Sequence, residues 1–162
     1  GISTFNPHGL SNYSFSTWFK NDNDTGGLIS WYRTPEDGEN GFELELASGV
    51  LYFAFTSSEY CTYPYPNTGE WVNFGIVYDG TLSGNSNKLK VFINGIKVNP
   101  TYVGTIPNTI NANTATLDIG LIQTTLGDRF INGGFGHLLT YTSSLSDLQI
   151  LQNYNATKNN YL

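Results

Sequence analysis

This chain has one cysteine, no methionine and few charges: only 12% of its 162 residues are Asp, Glu, Lys or Arg. Each shortage excludes something. A lone Cys61 cannot form an intramolecular disulfide, and it reads as a small buried apolar residue rather than a reactive thiol. Seven basic residues scattered among thirteen acidic ones give a net charge of −6, which excludes nucleic acid as a partner because phosphate neutralisation needs clustered Lys and Arg. No apolar run approaches the roughly 18 residues a membrane helix needs, so membrane insertion is not expected. Ala, Glu, Lys and Leu are too sparse for a helical bundle. A chain beginning at Gly1 without Met points to a processed chain or an excised domain, and no signal peptide is visible.

What is present is aromatic: 11 Tyr, 10 Phe and 3 Trp, with 18 Gly and 6 Pro. Apolar bulk with little charge excludes disorder, and the glycines and prolines point to short strands joined by tight turns. The length suits one domain spanning residues 1–162, able to bury roughly 70% of its unfolded surface.

Period-two alternation supplies the strands. Tyr13, Phe15, Thr17 and Phe19 share one face, against Ser14, Ser16, Trp18 and Lys20. Phe42, Leu44 and Leu46 face inward, with Glu43 and Glu45 outward. Leu51, Phe53 and Phe55 follow, then Val72, Phe74, Ile76 and Tyr78, then Leu89, Val91 and Ile93. The stretches 116–122 and 135–141 are also strand-like. Asn94-Gly95 between two such runs is a hairpin turn, and Asp37-Gly38, Asn40-Gly41, Asp79-Gly80 and Asn132-Gly133 mark further turns. The spacing predicts an all-β fold, a two-sheet antiparallel β-sandwich or jelly roll. One short helix is expected from about Ser146 to Asn155, opened by a capping box between Ser146 and Gln149.

Five motifs in order, F-S-T-W-F-K, E-W-V-N-F-G-I-V-Y-D-G, K-V-F-I-N-G-I-K-V, I-N-G-G-F-G-H-L-L-T-Y and S-L-S-D-L-Q-I-L-Q-N-Y, resemble the laminin-G-like, concanavalin A-like lectin domains. The match covers about residues 13–155. The resemblance implies a jelly roll of two packed sheets. It also implies a kinship with secreted lectin and carbohydrate-binding modules, pentraxins, the lectin-like half of clostridial toxin binding domains, and modules on bacteriophage structural proteins. The C-terminal L-Q-N-Y-N-A-T-K is similar to the phage and environmental-virus members. The family usually has one more strand ahead of the aromatic run, so a preceding domain or partner chain is expected to cover that edge.

Some relatives hydrolyse polysaccharides with an E-x-D-x-x-E strand. Here Glu43 and Glu45 lie on one face, on the order of 7 Å apart, a spacing compatible with an acid/base pair. No Asp lies between them and Ala47 takes the next same-face position, so the strand reads as a solvated face and the chain as non-catalytic. His8 and His137 are isolated from each other and from Cys61; His137 reads as structural.

Three stretches combine aromatic faces with polar groups suited to sugar hydroxyls. The first is a Pro-stiffened loop over 59–70, with Tyr60, Tyr63, Tyr65 and Asn67. The second is 124–133, with Asp128, Arg129, Phe130 and Asn132, and the third is 31–40, with Trp31, Tyr32 and Arg33. A glycan and a neighbouring protein subunit suit these side chains equally, since Tyr and Trp serve both. No cofactor is required. Calcium is the one metal considered, on oxygen-rich turns containing Asp22 and Asp24, with Asp128 as a further ligand, although no EF-hand spacing is present. Asn12, Asn23 and Asn155 begin N-x-S/T sequons, at a frequency expected from the composition. The expected role is a lectin-like binding module, extracellular or on a virion surface as part of a larger protein or assembly. The alternative is a secreted bacterial carbohydrate-binding or adhesion module, and a polysaccharide hydrolase is the reading the motif disfavours.

Overall fold

The computed structural model of the chain describes residues 6–31, 41–65, 69–110, 117–123 and 127–162. The strands are β1 (Asn12–Asn21), β2 (Gly26–Ser30), β3 (Glu43–Ala47), β4 (Val50–Thr56), β5 (Glu59–Pro64), β6 (Trp71–Asp79), β7 (Leu89–Ile93), β8 (Ile96–Val98) and β9 (Thr101–Val103). After these come β10 (Asp118–Ile119), β11 (Leu121–Ile122), β12 (Arg129–Phe130) and β13 (Gly133–Tyr141). A helical turn, α1 (Asn85–Lys88), precedes β7, and α2 (Asp147–Thr157) runs into a 3-10 turn over Lys158–Asn160.

Two antiparallel sheets face each other, ordered β13-β1-β6-β7-β8 and β10-β2-β3-β4-β5-β9, with β11-β12 as a separate hairpin. The jelly-roll sandwich read from alternation is the observed architecture. Tyr13, Phe15, Phe19, Phe74, Ile76 and Tyr78 from one sheet meet Phe42, Leu44, Phe53 and Phe55 from the other. Each such side chain contributes about 1.5–3 kcal/mol when fully withdrawn from water. Phe42 stacks on Tyr13 at 5.3 Å and on Phe15 at 5.7 Å, and tilts against Phe53 at 5.2 Å. The Asn94-Gly95 turn has positive φ at both residues (51° and 75°), the type I′ geometry that suits twisted hairpins.

The outer face of the five-stranded sheet is also buried, because α2 lies across it. Val77, Phe92, Leu145 and Ile150 form a second apolar cluster there. Trp18 stacks on Tyr154 at 5.6 Å and Tyr161 at 4.6 Å, and its indole N–H donates to Thr157 Oγ1 at 2.7 Å. Polar outward residues of β1 are satisfied rather than solvated: Ser14 Oγ donates to the Ser143 carbonyl at 2.8 Å and accepts from the Leu145 N–H at 2.9 Å, while the Asn73 amide donates to Ser16 Oγ and the Thr17 carbonyl. The capping box is present, with Gln149 N–H donating to Ser146 Oγ and Ser146 N–H to Gln149 Oε1. The helix runs two residues past the expected end, to Thr157, whose hydroxyl donates to the Asn153 carbonyl and receives the Trp18 indole.

Three expectations change. The stretch 59–70 is not a loop throughout: Glu59–Pro64 is β5, paired with β4 and β9. In 116–122, the described part splits into β10 and β11 at Gly120, where φ is +76°. And β1 is no edge, since β6 and β13 flank it on either side. Trp18→Ala is expected to cost about 3–5 kcal/mol by leaving a hole under α2, and Ser146→Ala about 1 kcal/mol. Urea denaturation measures both; a Trp18→Ala variant as stable as the parent would show that α2 does not depend on this seat.

Candidate functional site: the outer face of the six-stranded sheet

The other sheet leaves its outer face to different chemistry. Alternation along β3 sends Glu43 and Glu45 outward, and the register sets their neighbours. Glu43 lies between Ser30 on β2 and Ala54 on β4, with Tyr60 of β5 beyond Ala54; Glu45 lies beside Tyr52, with Thr62 beyond. Tyr52 and Tyr60 are half-buried and tilt together, ring centroids 5.9 Å apart. Ala54 puts a single methyl group between Glu43 and Tyr60, where its neighbours carry long side chains.

The β11-β12 hairpin closes one side of this face. It can lie directly on β2 because Gly27 has no side chain: a Cβ there would stand 2.4 Å from Ile122 N and 2.6 Å from the Arg129 carbonyl oxygen. Gly120 N–H donates to the Leu28 carbonyl at 2.8 Å, and Ser30 Oγ to that of Leu121 at 3.4 Å. From this position Arg129 Nη1 donates to both oxygens of Glu45, at 2.8 and 2.6 Å. The Glu45 carboxylate is buried while the Arg129 side chain is about half exposed, 11% against 49%. Asp118, beside Ser30 in register, accepts from Gln123 Nε2 at 3.1 Å.

With the guanidinium bonded to Glu45, Glu43 is left the less favoured carboxylate. Burial, and then the charge of Glu45, push its carboxyl up from an ordinary 4.5 to about 7, with Arg129 pulling the other way. A carboxyl there donates a hydrogen bond below neutrality and only accepts above it. Burial also pushes the Cys61 thiol up to about 12, so it is inert at neutral pH.

The residues expected to bind ligand separate on the structure. Trp31 and Tyr65 are corrections: both are core, Trp31 packed on Phe42 at 4.5 Å and Tyr65 on Phe19 at 5.5 Å. Both extend the core past the ends of alternating runs, where periodicity carries no information. Tyr63 is half-buried on β5 opposite Leu51, on the face that Cys61 points from, whereas Tyr60 points outward. Asp128, Phe130 and Asn132 are exposed on and around β12, with Phe130 64% accessible. Tyr32, Arg33 and Asn67 lie outside the described residues. The fold thus brings Tyr60 and Arg129 together with Glu43, Glu45 and Tyr52. Tyr52 went unnoticed in the sequence; its outward place in the 50–55 alternation was the available signal.

Among the described residues, no group of three or more His, Cys, Asp or Glu is placed to hold a metal ion, Asp22, Asp24 and Asp128 included. The 22–25 turn is organised by Asn21, whose buried amide donates to the carbonyls of Asn23 and Thr25, and Asp22 pairs with Lys20 at 3.4 Å. His137, exposed on β13, has Nδ1 2.6 Å from the Tyr161 hydroxyl.

Glu43 makes stability pH-dependent. Unfolded, it loses its proton near 4.5; folded, near 7. In between, the folded state binds the extra proton, so the contribution of Glu43 to stability falls as pH rises across that window. Glu43→Gln is therefore expected to be neutral at the acid end and stabilising at the alkaline end, by on the order of 2 kcal/mol after allowing for solvent screening. Chemical denaturation at both ends checks it; an effect independent of pH would refute the assignment.

A family model described as the concanavalin A-like lectin/glucanases superfamily, laminin-G type, matches residues 2–151. No curated protein matches the chain. Solved structures show the same fold at low identity. The CBM40 of Ruminococcus gnavus IT-sialidase, bound to α2,3 sialyllactose, is 15% identical with a TM-score of 0.64, over 90% of this chain and 84% of that one. The heptameric SAP-like pentraxin of Limulus polyphemus is 20% identical with a TM-score of 0.58, over 89% and 70%. The binding domain of botulinum neurotoxin DC, in complex with rat synaptotagmin II, is 15% identical with a TM-score of 0.61, over 90% of this chain; the match spans only 35% of that longer chain. Two facing antiparallel sheets, the C-terminal helix and the family match over nearly the whole length agree: the chain belongs to the concanavalin A-like lectin/glucanases superfamily.

Proposed function

We propose that this chain is a non-catalytic binding module whose outer six-stranded face receives a glycan. The observation that carries the reading is the juxtaposition on that face of the Tyr52–Tyr60 pair, the Ala54 gap and the Glu45–Arg129 pair, with Glu43 beside them. Tyrosine rings offer apolar faces to a pyranose, and carboxylate and guanidinium groups match its hydroxyls. Sialyllactose in the CBM40 structure, and ganglioside dependence of the related botulinum neurotoxin type C, support glycans as the ligand class.

Against hydrolysis stands the state of Glu45. Both its oxygens accept from Arg129, which fixes the buried carboxylate against the hairpin, and position 47, the next on the same face, is alanine rather than a further carboxylate. The setting we propose is the surface of a virion, as part of a larger assembly, supported by the C-terminal likeness to phage members; residues 1–162 act there as one domain.

Titration with a glycan panel is expected to yield saturable binding to at least one oligosaccharide. Tyr60→Ala should weaken it about three- to tenfold, the scale of one aromatic contact. Incubation with polysaccharides should release no reducing ends. Full affinity in Tyr60→Ala, or sugar release abolished by Glu43→Gln/Glu45→Gln, would overturn the reading.

A further inference from the structure

A second, chemically different recess lies at one end of the sandwich, between the 80–84 turn and the 106–109 segment. Its volume is about 540 Å³, and its walls include Ser11, Thr81, Leu82, Ser83, Asn108 and Thr109 around Lys88. It is open to solvent on one side, so a ligand there would lie partly exposed. Gly80 allows the two segments to meet, since a Cβ there would stand 2.0 Å from the Asn108 carbonyl oxygen.

Lys88 is only 7% exposed. Its ammonium donates to the Ile106 carbonyl and to Asn108 Oδ1, both at 2.7 Å. An ammonium has three N–H donors, and both of these acceptors are neutral. None of the ion pairs among the described residues involves Lys88. The carboxylate of Asp79, at the end of β6, accepts from the N–H and hydroxyl of Thr81. Among the described residues, no acidic one lines the recess, in a chain with a net charge of −6. A buried cation without a counter-ion is costly, and an anionic oxygen reaching it would restore the balance.

We propose that this recess binds a saccharide bearing an anionic group, carboxylate or sulfate, which reaches Lys88 while the ring hydroxyls engage Thr81, Ser83, Asn108 and Thr109. The saccharide part rests on the glycan-binding reading above; the anion part rests on Lys88 alone. Leu82, 43% exposed at the rim, offers an apolar contact for the ring.

The test is titration of the labelled protein with glucuronate, glucose 6-sulfate, glucose and inorganic sulfate, read from backbone amide shifts of residues 81–84 and 106–109. The two acidic sugars are expected to saturate, glucose to be silent and sulfate to bind more weakly. Lys88→Met should lower acidic-sugar affinity about ten- to a hundredfold, the scale of a charged hydrogen bond. Ser83→Ala/Thr109→Val, which keeps both Lys88 hydrogen bonds, should weaken sugars several-fold but not sulfate, and carries the test if Lys88→Met does not fold. Sulfate binding as tightly as the acidic sugars would overturn the saccharide assignment. Silence with every anion, or equal affinity in folded Lys88→Met, would overturn the site. The shifts are read only at residues 81–84 and 106–109, so loss of this site is distinguishable from loss of glycan binding on the outer face.

Discussion

The sandwich is organised around Phe42. Its ring lies parallel to Tyr13 and Phe15 of the opposite sheet, within 7°, while Trp31 and Phe53 of its own side pack on it. Parallel stacks across a sheet interface constrain both the separation and the lateral register of the two layers, because offset rings tolerate little sliding. Once Phe42 is placed inward, the pleat of β3 leaves Leu44 and Leu46 in the core and Glu43 and Glu45 on the far side. The charged face is therefore a consequence of the aromatic contact beneath it.

The two outer faces then diverge. On one, α2 supplies the cover, seated by Trp18 and by the bonds of Ser14 to the segment that leads into the helix. On the other, the cover is partial: a four-residue hairpin ladder rests on Gly27, buries Glu45 and leaves Tyr52, Tyr60 and Glu43 half-buried on β3, β4 and β5. Covering one face stabilises the fold and frees the other from that task. Recognition chemistry accumulates where burial is incomplete, since a polar group there retains an unfilled share of its hydrogen-bonding capacity.

The Glu45–Arg129 pair joins residues 84 positions apart and sets the electrostatics of that face. One guanidinium serves two carboxylates, and geometry assigns it to Glu45. Glu43 is consequently raised towards neutrality. Lys88 shows the complementary situation, a cation held by neutral acceptors. Both features arise where opposite charges are present in unequal numbers.

Alternation, turn dipeptides and the Ser146–Gln149 capping box determined the strands, the hairpin at Asn94-Gly95, the helix and the sandwich class, because these depend on neighbours within a few residues. The outward place of Glu43 and Glu45 followed from the same period of two. The tertiary structure alone decided the rest. Trp31 and Tyr65, equally plausible as ligand contacts in the sequence, became core because the opposing sheet closes over them. Arg129 found Glu45 because a glycine on β2 admits the hairpin, and Lys88 found Ile106 and Asn108 across a turn. Such contacts depend on which distant segments the packing brings together, and local sequence carries no record of that distance.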